Sequence, residues 1–141
     1  MSYIFIPDQY VTEQNLIEAL ESGRYPKQAF GKLCNDRFYS CIVSSNSIES
    51  VTKVCAYCVL GVLSKEIGFR DDVIKEHSRL SDLYKMIQID EGLISNINWP
   101  IFEGVLMGMN DANLWSFDTI ARQIKKKNLT FTLPKVQFVE E

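Results

Sequence analysis

The residues best placed by type for chemistry are four cysteines, Cys34, Cys41, Cys55 and Cys58, within one short stretch of a 141-residue chain. Four thiolates could complete the tetrahedral shell of a structural zinc ion. The spacing is poor for that, because zinc ribbons set cysteine pairs on tight turns and here Cys34 and Cys41 lie far apart in sequence. The second pair sits in VCAYCVLGVL, residues 54–63, an apolar run with helical periodicity. A redox pair needs its first thiol exposed at a helix N-terminus, where the dipole lowers its pKa. The periodicity instead puts Cys55 about two turns inside a helix. Free cysteine is a small hydrophobe and among the most buried residue types, so Cys55 and Cys58 are expected to be packing. A zinc module on the four cysteines and a small enzyme using a cysteine or Asp111 stay open as alternatives.

His77, the only histidine, lies in the polar stretch IKEHSRL, and a Cys-His nucleophile pair would require a cysteine to reach it in space. Asp71-Asp72 and Glu140-Glu141 are adjacent in sequence, which does not oppose them across a cleft as hydrolysis demands. No P-loop, Gly-x-Gly-x-x-Gly or Gly-x-Ser-x-Gly motif is present. Asn110-Asp111 is the remaining candidate. Such a pair at a helix junction commonly satisfies nearby backbone groups. It could also orient a small ligand in a pocket walled by Trp99 or Trp115, with Tyr25 as a further contact.

The elements that must position these residues follow from patterning. Tyr3–Ile6 is β-prone and closes at Pro7. Thr12 caps a helix with Leu16, Ile17 and Leu20 on one face, ending at Ser22-Gly23. YPKQAFGKL, residues 25–33, reads as an ordered loop, and Arg37–Val43 as a covered strand. Asn46 with Glu49 resembles a capping box, or Ser47 is the cap, and helical spacing of apolar residues then continues to Ile67-Gly68. This 47–67 helix is expected to be buried at the centre, with Gly61 marking a close backbone approach. Ser81 is expected to cap a helix with Leu83, Tyr84 and Ile87. Pro100 starts another carrying Ile101, Phe102, Val105 and Leu106, and Ser116 opens a last one with Phe117, Ile120, Ala121 and Ile124 inward. Leu129, Phe131 and Leu133 alternate with threonines as a strand.

Bulk properties bound the function. A 46% hydrophobic content at this length suits one domain, residues 1–141, with its own core. A net charge of −3 leaves no polyanion-binding footprint, so nucleic acid is not an expected partner. Lys125-Lys126-Lys127 complements a helix C-terminus. There is neither a secretory signal pattern nor a long apolar run, so no membrane span is expected, and a cytoplasmic location with reduced thiols is.

The order ALESGRY, GKL, CVLGVL, NDANLWSFDTIARQI resembles a family of small, uncharacterised phage and bacterial proteins. Their pattern is Ser-Gly-x-Tyr, then Cys-x-Leu-Gly-x-Leu, then Asn-Asp with Ser-Phe-Asp-x-Ile-Ala, covering roughly residues 16–127. The resemblance places Cys58, Leu60, Gly61 and Leu63 in the central motif and Asn110, Asp111, Phe117, Ile120 and Ala121 in the closing one. It implies no established activity, only a compact accessory protein of phage type. The chain departs from the pattern in an insertion around 35–54 and in its β-like C-terminal extension.

The expectation is an α+β fold, mainly α, with a central buried helix and a small antiparallel sheet from residues near 3–6, 37–43 and 129–133. Its function is expected to be binding of a host protein or small molecule, as a counter-defence inhibitor would, with no cofactor and without catalysis.

Overall fold

The computed structural model describes residues 2–30, 33–44, 47–87 and 97–140, and within 35–44 and 47–55 it describes the backbone. The chain runs β1 (Ser2–Thr12), α1 (Glu13–Glu21), β2 (Cys34–Ser44), β3 (Ser47–Tyr57), α2 (Val59–Ile67), α3 (Asp71–Ile74), α4 (Leu80–Lys85) and α5 (Trp99–Met107). It continues through a π-helical turn (Gly108–Ala112), α6 (Phe117–Lys126) and β4 (Thr132–Val139). The fold is α+β and mainly helical, with a buried helix at its centre.

That helix is shorter than its periodicity predicts. Residues 47–57 form β3, which pairs antiparallel with β2 from Ser44↔Ser47 to Cys34↔Tyr57, and the helix begins only after Cys58. Ile48, Val51, Thr52 and Val54 also recur at helical spacing, but β-branched side chains favour strands, and the neighbouring strand β2 supplies hydrogen bonds. The expected cap at Asn46 lies outside the described residues. In α2, Val59, Leu60, Val62, Leu63 and Ile67 have no exposure, as befits a helix that is apolar on nearly all sides. Gly61 meets the expected close approach: a Cβ there would run into the carbonyl of Leu33.

The sheet also differs from expectation. Instead of one sheet there are two antiparallel pairs, β1 with β4 and β2 with β3. β1 continues past Pro7 through an irregularity between Phe5 and Tyr10 that includes Asp8 at φ 61°. β4 starts later than predicted and runs through Pro134, which a strand with an open edge tolerates because no ladder N–H is lost on that side. Its Pro134 carbonyl instead accepts the buried Tyr84 hydroxyl at 2.8 Å.

The helix caps are local where predicted, with one exception. The Asn15 side chain closes on Thr12 N at 2.9 Å and Ser116 accepts from Thr119 N, while Asn98, not expected as a cap, accepts from Ile101 N. Ser81 is not a cap. It lies inside α4, and its backbone N–H is held by Glu103 from α5 at 3.0 Å. On α5, Phe102 and Leu106 face the core, whereas Ile101 and Val105 are exposed, Ile101 at 64%. Rings knit the interior together: Tyr3, Phe69, Tyr84, Trp99, Phe102 and Phe131 form a file with successive centroids 5.2 to 5.9 Å apart.

Candidate functional site

The structure separates the predicted site residues into three places. Asn110 and Asp111 lie in the π-helical turn, beside the carbonyl of Trp115. The wider hydrogen bonding of that turn, Asn113 N to Gly108 O at 2.9 Å, swings Asn110 to full burial. Its Oδ1 accepts from Gln28 Nε2 at 2.9 Å and from Val59 N at 3.1 Å. Its Nδ2 donates to Ala29 O at 2.9 Å and to Asp111 Oδ1 at 2.7 Å. Gln28 Nε2 also donates to Trp115 O at 2.8 Å. An amide offers two donors and two lone pairs, so Asn110 has nothing left for a ligand. It ties the 25–30 loop, the start of α2 and the π-helical turn into one knot, and it brings together the Cys58 and Asn110-Asp111 motifs.

Cys58 belongs to the same knot. It is the N-cap of α2, in extended backbone conformation, and its Sγ accepts from Gly61 N at 3.4 Å. A helix N-terminus would favour a thiolate, but burial dominates and pushes the thiol up to about 12. The Gly61 and Leu60 N–H groups oppose this only partly, and Asp111 adds to it. At neutral pH it is a protonated, enclosed thiol. Cys34 is likewise buried.

The backbone register counts against the zinc alternative. Cys34 and Cys41 stand seven residues apart on one strand, roughly 23 Å at strand rise, and Cys55 pairs opposite Asp36 while Cys41 pairs opposite Ser50. Four thiolates cannot converge from those positions on one ion about 2.3 Å from each. Among the described residues no cluster of His, Cys, Asp and Glu could hold a metal ion.

Tyr25 stands at a second place. Its ring meets Tyr57 edge-on at 5.3 Å, and its hydroxyl donates to Glu66 Oε1 at 3.3 Å, which Arg24 also holds. Tyr57 donates to Asp71 Oδ1 at 2.6 Å. Burial, then the Glu66 charge, raises the Tyr25 pKa well above the usual phenol range. This is a surface network of paired charges.

Trp99 marks the third place, where the sequence reading missed the decisive residue. Trp99, Glu103 and Met107 recur every four residues on one face of α5, and with Arg79, Ser81 and Lys85 of the α4 segment they line a cavity of about 350 Å³. Pro100 and Gly104 complete the α5 side. Glu103 is only 4% exposed. Its Oε1 is held by Ser81 N, but Oε2 is buried with no hydrogen-bond partner among the described residues. Arg79 and Lys85 flank the cavity from the two ends of α4, about 9 Å apart along its axis, both exposed and neither in an ion pair among the described residues. Trp99 is half-buried, tilted against Tyr84 and edge-on to Phe102. The legible signal was a carboxylate set between Trp99 and Met107 on an otherwise apolar helix stripe.

A second, apolar groove of about 410 Å³ lies on the other flank of α5, lined by Ile97, Ile101, Phe102, Val105, Leu129 and Phe131 among others. Among the described residues no helix is long and apolar enough to cross a membrane. No family model, curated protein or solved structure matches the chain.

Proposed function

We propose that the protein acts by binding rather than catalysis, and that the cavity between α4 and α5 holds a small molecule. One observation carries this reading: Glu103, nearly enclosed at the cavity wall, keeps a carboxylate oxygen without a hydrogen-bond partner among the described residues. Burying such an atom costs free energy unless something pairs with it, so a bound donor is the natural complement. Of the two partners that the sequence leaves open, a host protein and a small molecule, this favours the second. Sequestering a small molecule is also one route by which a phage-type accessory protein could blunt a host defence. Binding is preferred over chemistry because the candidate nucleophile, Cys58, is enclosed with its thiol held protonated, and Asn110 beside it is saturated.

Gly104 supplies the test. It lines the cavity, and a Cβ built there meets nothing within 4 Å, so Gly104→Leu should fill the space without disturbing the core. Thermal unfolding of the wild type against a library of polar metabolites should show ligands that raise the midpoint. A ligand at a hundred times its Kd stabilises by about 2.7 kcal/mol, and Gly104→Leu should abolish that rise. A library that never shifts the wild type, or shifts both proteins equally, would sink this reading.

A further inference from the structure

The charges around the cavity have an order. A carboxylate lies buried at the wall, and two cations, in no ion pair among the described residues, stand exposed at its edges. The geometry points to a ligand of the reverse polarity: a small zwitterion of the α-amino-acid class with an apolar side chain. Its ammonium pairs with the Glu103 carboxylate after a side-chain rotation that brings the buried Oε2 to the cavity surface, its carboxylate faces Arg79 or Lys85, and its side chain lies against Trp99 and Met107. This rests on the reading of the cavity as a binding site.

Each part of the ligand answers a specific feature. An enclosed carboxylate is best compensated by a cation, and an ammonium brings three donors in a compact head. A plain amine would satisfy Glu103 but leave Arg79 and Lys85 without an anion, and would meet their positive field on entry. A plain carboxylic acid would set its charge against Glu103. Only a molecule carrying both charges fits both. About 350 Å³ lies at the small end of ligand cavities, which suits a single metabolite better than a peptide. The apolar stretch between the charges, from Trp99, Pro100 and the bare Gly104 to Met107, matches an uncharged side chain.

Calorimetric titration of the full chain with L-phenylalanine, phenethylamine and hydrocinnamate isolates the two charges on one skeleton, and the matching methionine-derived set guards against a ring too large for the space. The amino acid should bind about tenfold or more tighter than the acid lacking nitrogen, because a hydrogen bond to a charged group is lost. It should bind up to about fivefold tighter than the amine, since the rim cations are exposed. Glu103→Gln should shrink the first gap, and the double variant Arg79→Ala, Lys85→Ala should close the second, with circular dichroism confirming that each variant is folded. Amine and amino acid binding equally, with no effect of the rim variant, would overturn the zwitterion while leaving the cavity reading intact. Tightest binding by hydrocinnamate would overturn it too. Silence from both sets, while other metabolites still bind in a manner that Gly104→Leu blocks, refutes only the ligand class. Silence from every small molecule refutes both readings.

Discussion

Asn110 and Glu103 are both buried polar side chains on the same helical segment, seven residues apart, and they are opposites. Asn110 uses every donor and acceptor it has, all within the chain. Glu103 uses one oxygen to hold α4 and leaves the other unpaired among the described residues. A saturated buried polar group fixes a fold, because any change strands its partners. An unsaturated one lowers stability in the free protein and is retained where something outside the chain completes it. The residue that looked functional in the sequence is therefore architectural, and the functional candidate is the one that looked like an ordinary helix acid.

The strongest way to break this contrast is Asn110→Ala. It strands the Val59 N–H and the Ala29 carbonyl inside the core and frees Gln28, so a loss of about 3 kcal/mol or more is expected in chemical denaturation. A loss below about 1 kcal/mol would mean that water or a rearranged Gln28 replaces the knot, and Asn110 would then be available to a ligand after all.

Much of the frame was legible for local reasons. Thr12 and Ser116 announce helix starts through their own chemistry, and Gly61 announces a close approach through the absence of a side chain. What failed was non-local. Residues 47–57 carry apolar groups at spacings compatible with either a helix or a strand, and only pairing with β2 decides between them. Ser81 has a capping residue's chemistry, but its backbone N–H is claimed by Glu103, 22 positions away. Trp99 was singled out, yet its partners in the cavity come from α4, and no spacing rule within α5 reveals that. The Asn110 motif was found and its neighbours were not, since Gln28 and Val59 reach it across more than 50 residues.

Cys58 sharpens the architectural side of the contrast through pH. Its thiol is neutral when protonated, and its folded pKa of about 12 lies above the ordinary thiol value of about 8.5. The stability it contributes is thus fully present below about pH 8.5 and is lost as pH rises towards 12, at up to about 1.4 kcal/mol per unit. Tyr25 and Tyr84 are also raised by burial, and an unfolded phenol is half titrated at about pH 10, so they add a smaller slope that grows towards that pH. Unfolding measured between pH 8 and 9.5 should therefore show a slope that Cys58→Ala clearly reduces. At neutral pH the helix cap reverses what packing alone predicts. A buried hydroxyl would ordinarily be the worse replacement, yet serine at an N-cap can accept from Gly61 N, so Cys58→Ser should cost less than Cys58→Ala, itself about 1 kcal/mol. Serine as the costlier variant would show that the thiol's size matters more than its acceptor.

Glu103→Gln should behave unlike any change in the knot. The amide oxygen can still hold Ser81 N, while the unpaired buried charge disappears. Stability should be unchanged or raised by up to about 1 kcal/mol, as measured by thermal unfolding without ligand. A clear loss would mean that both oxygens are already satisfied in solution, and Glu103 would join Asn110 as architecture.

The smallest expected effect is at Gly104, and its sign matters more than its size. Gly61 and Gly104 both lie within helices, where glycine is less favourable than alanine by roughly 1 kcal/mol. At Gly61 the reason is visible, since a methyl group would collide with the Leu33 carbonyl; at Gly104 a methyl meets nothing within 4 Å. Packing therefore does not explain Gly104, and on the proposed binding reading its bareness keeps the cavity wall open. Gly104→Ala should raise stability by about 0.5 to 1 kcal/mol in the free protein while weakening whatever occupies the cavity. Stabilisation with undiminished ligand binding would show that the bare wall serves no occupant, and the open side of the contrast would then rest on Glu103 alone.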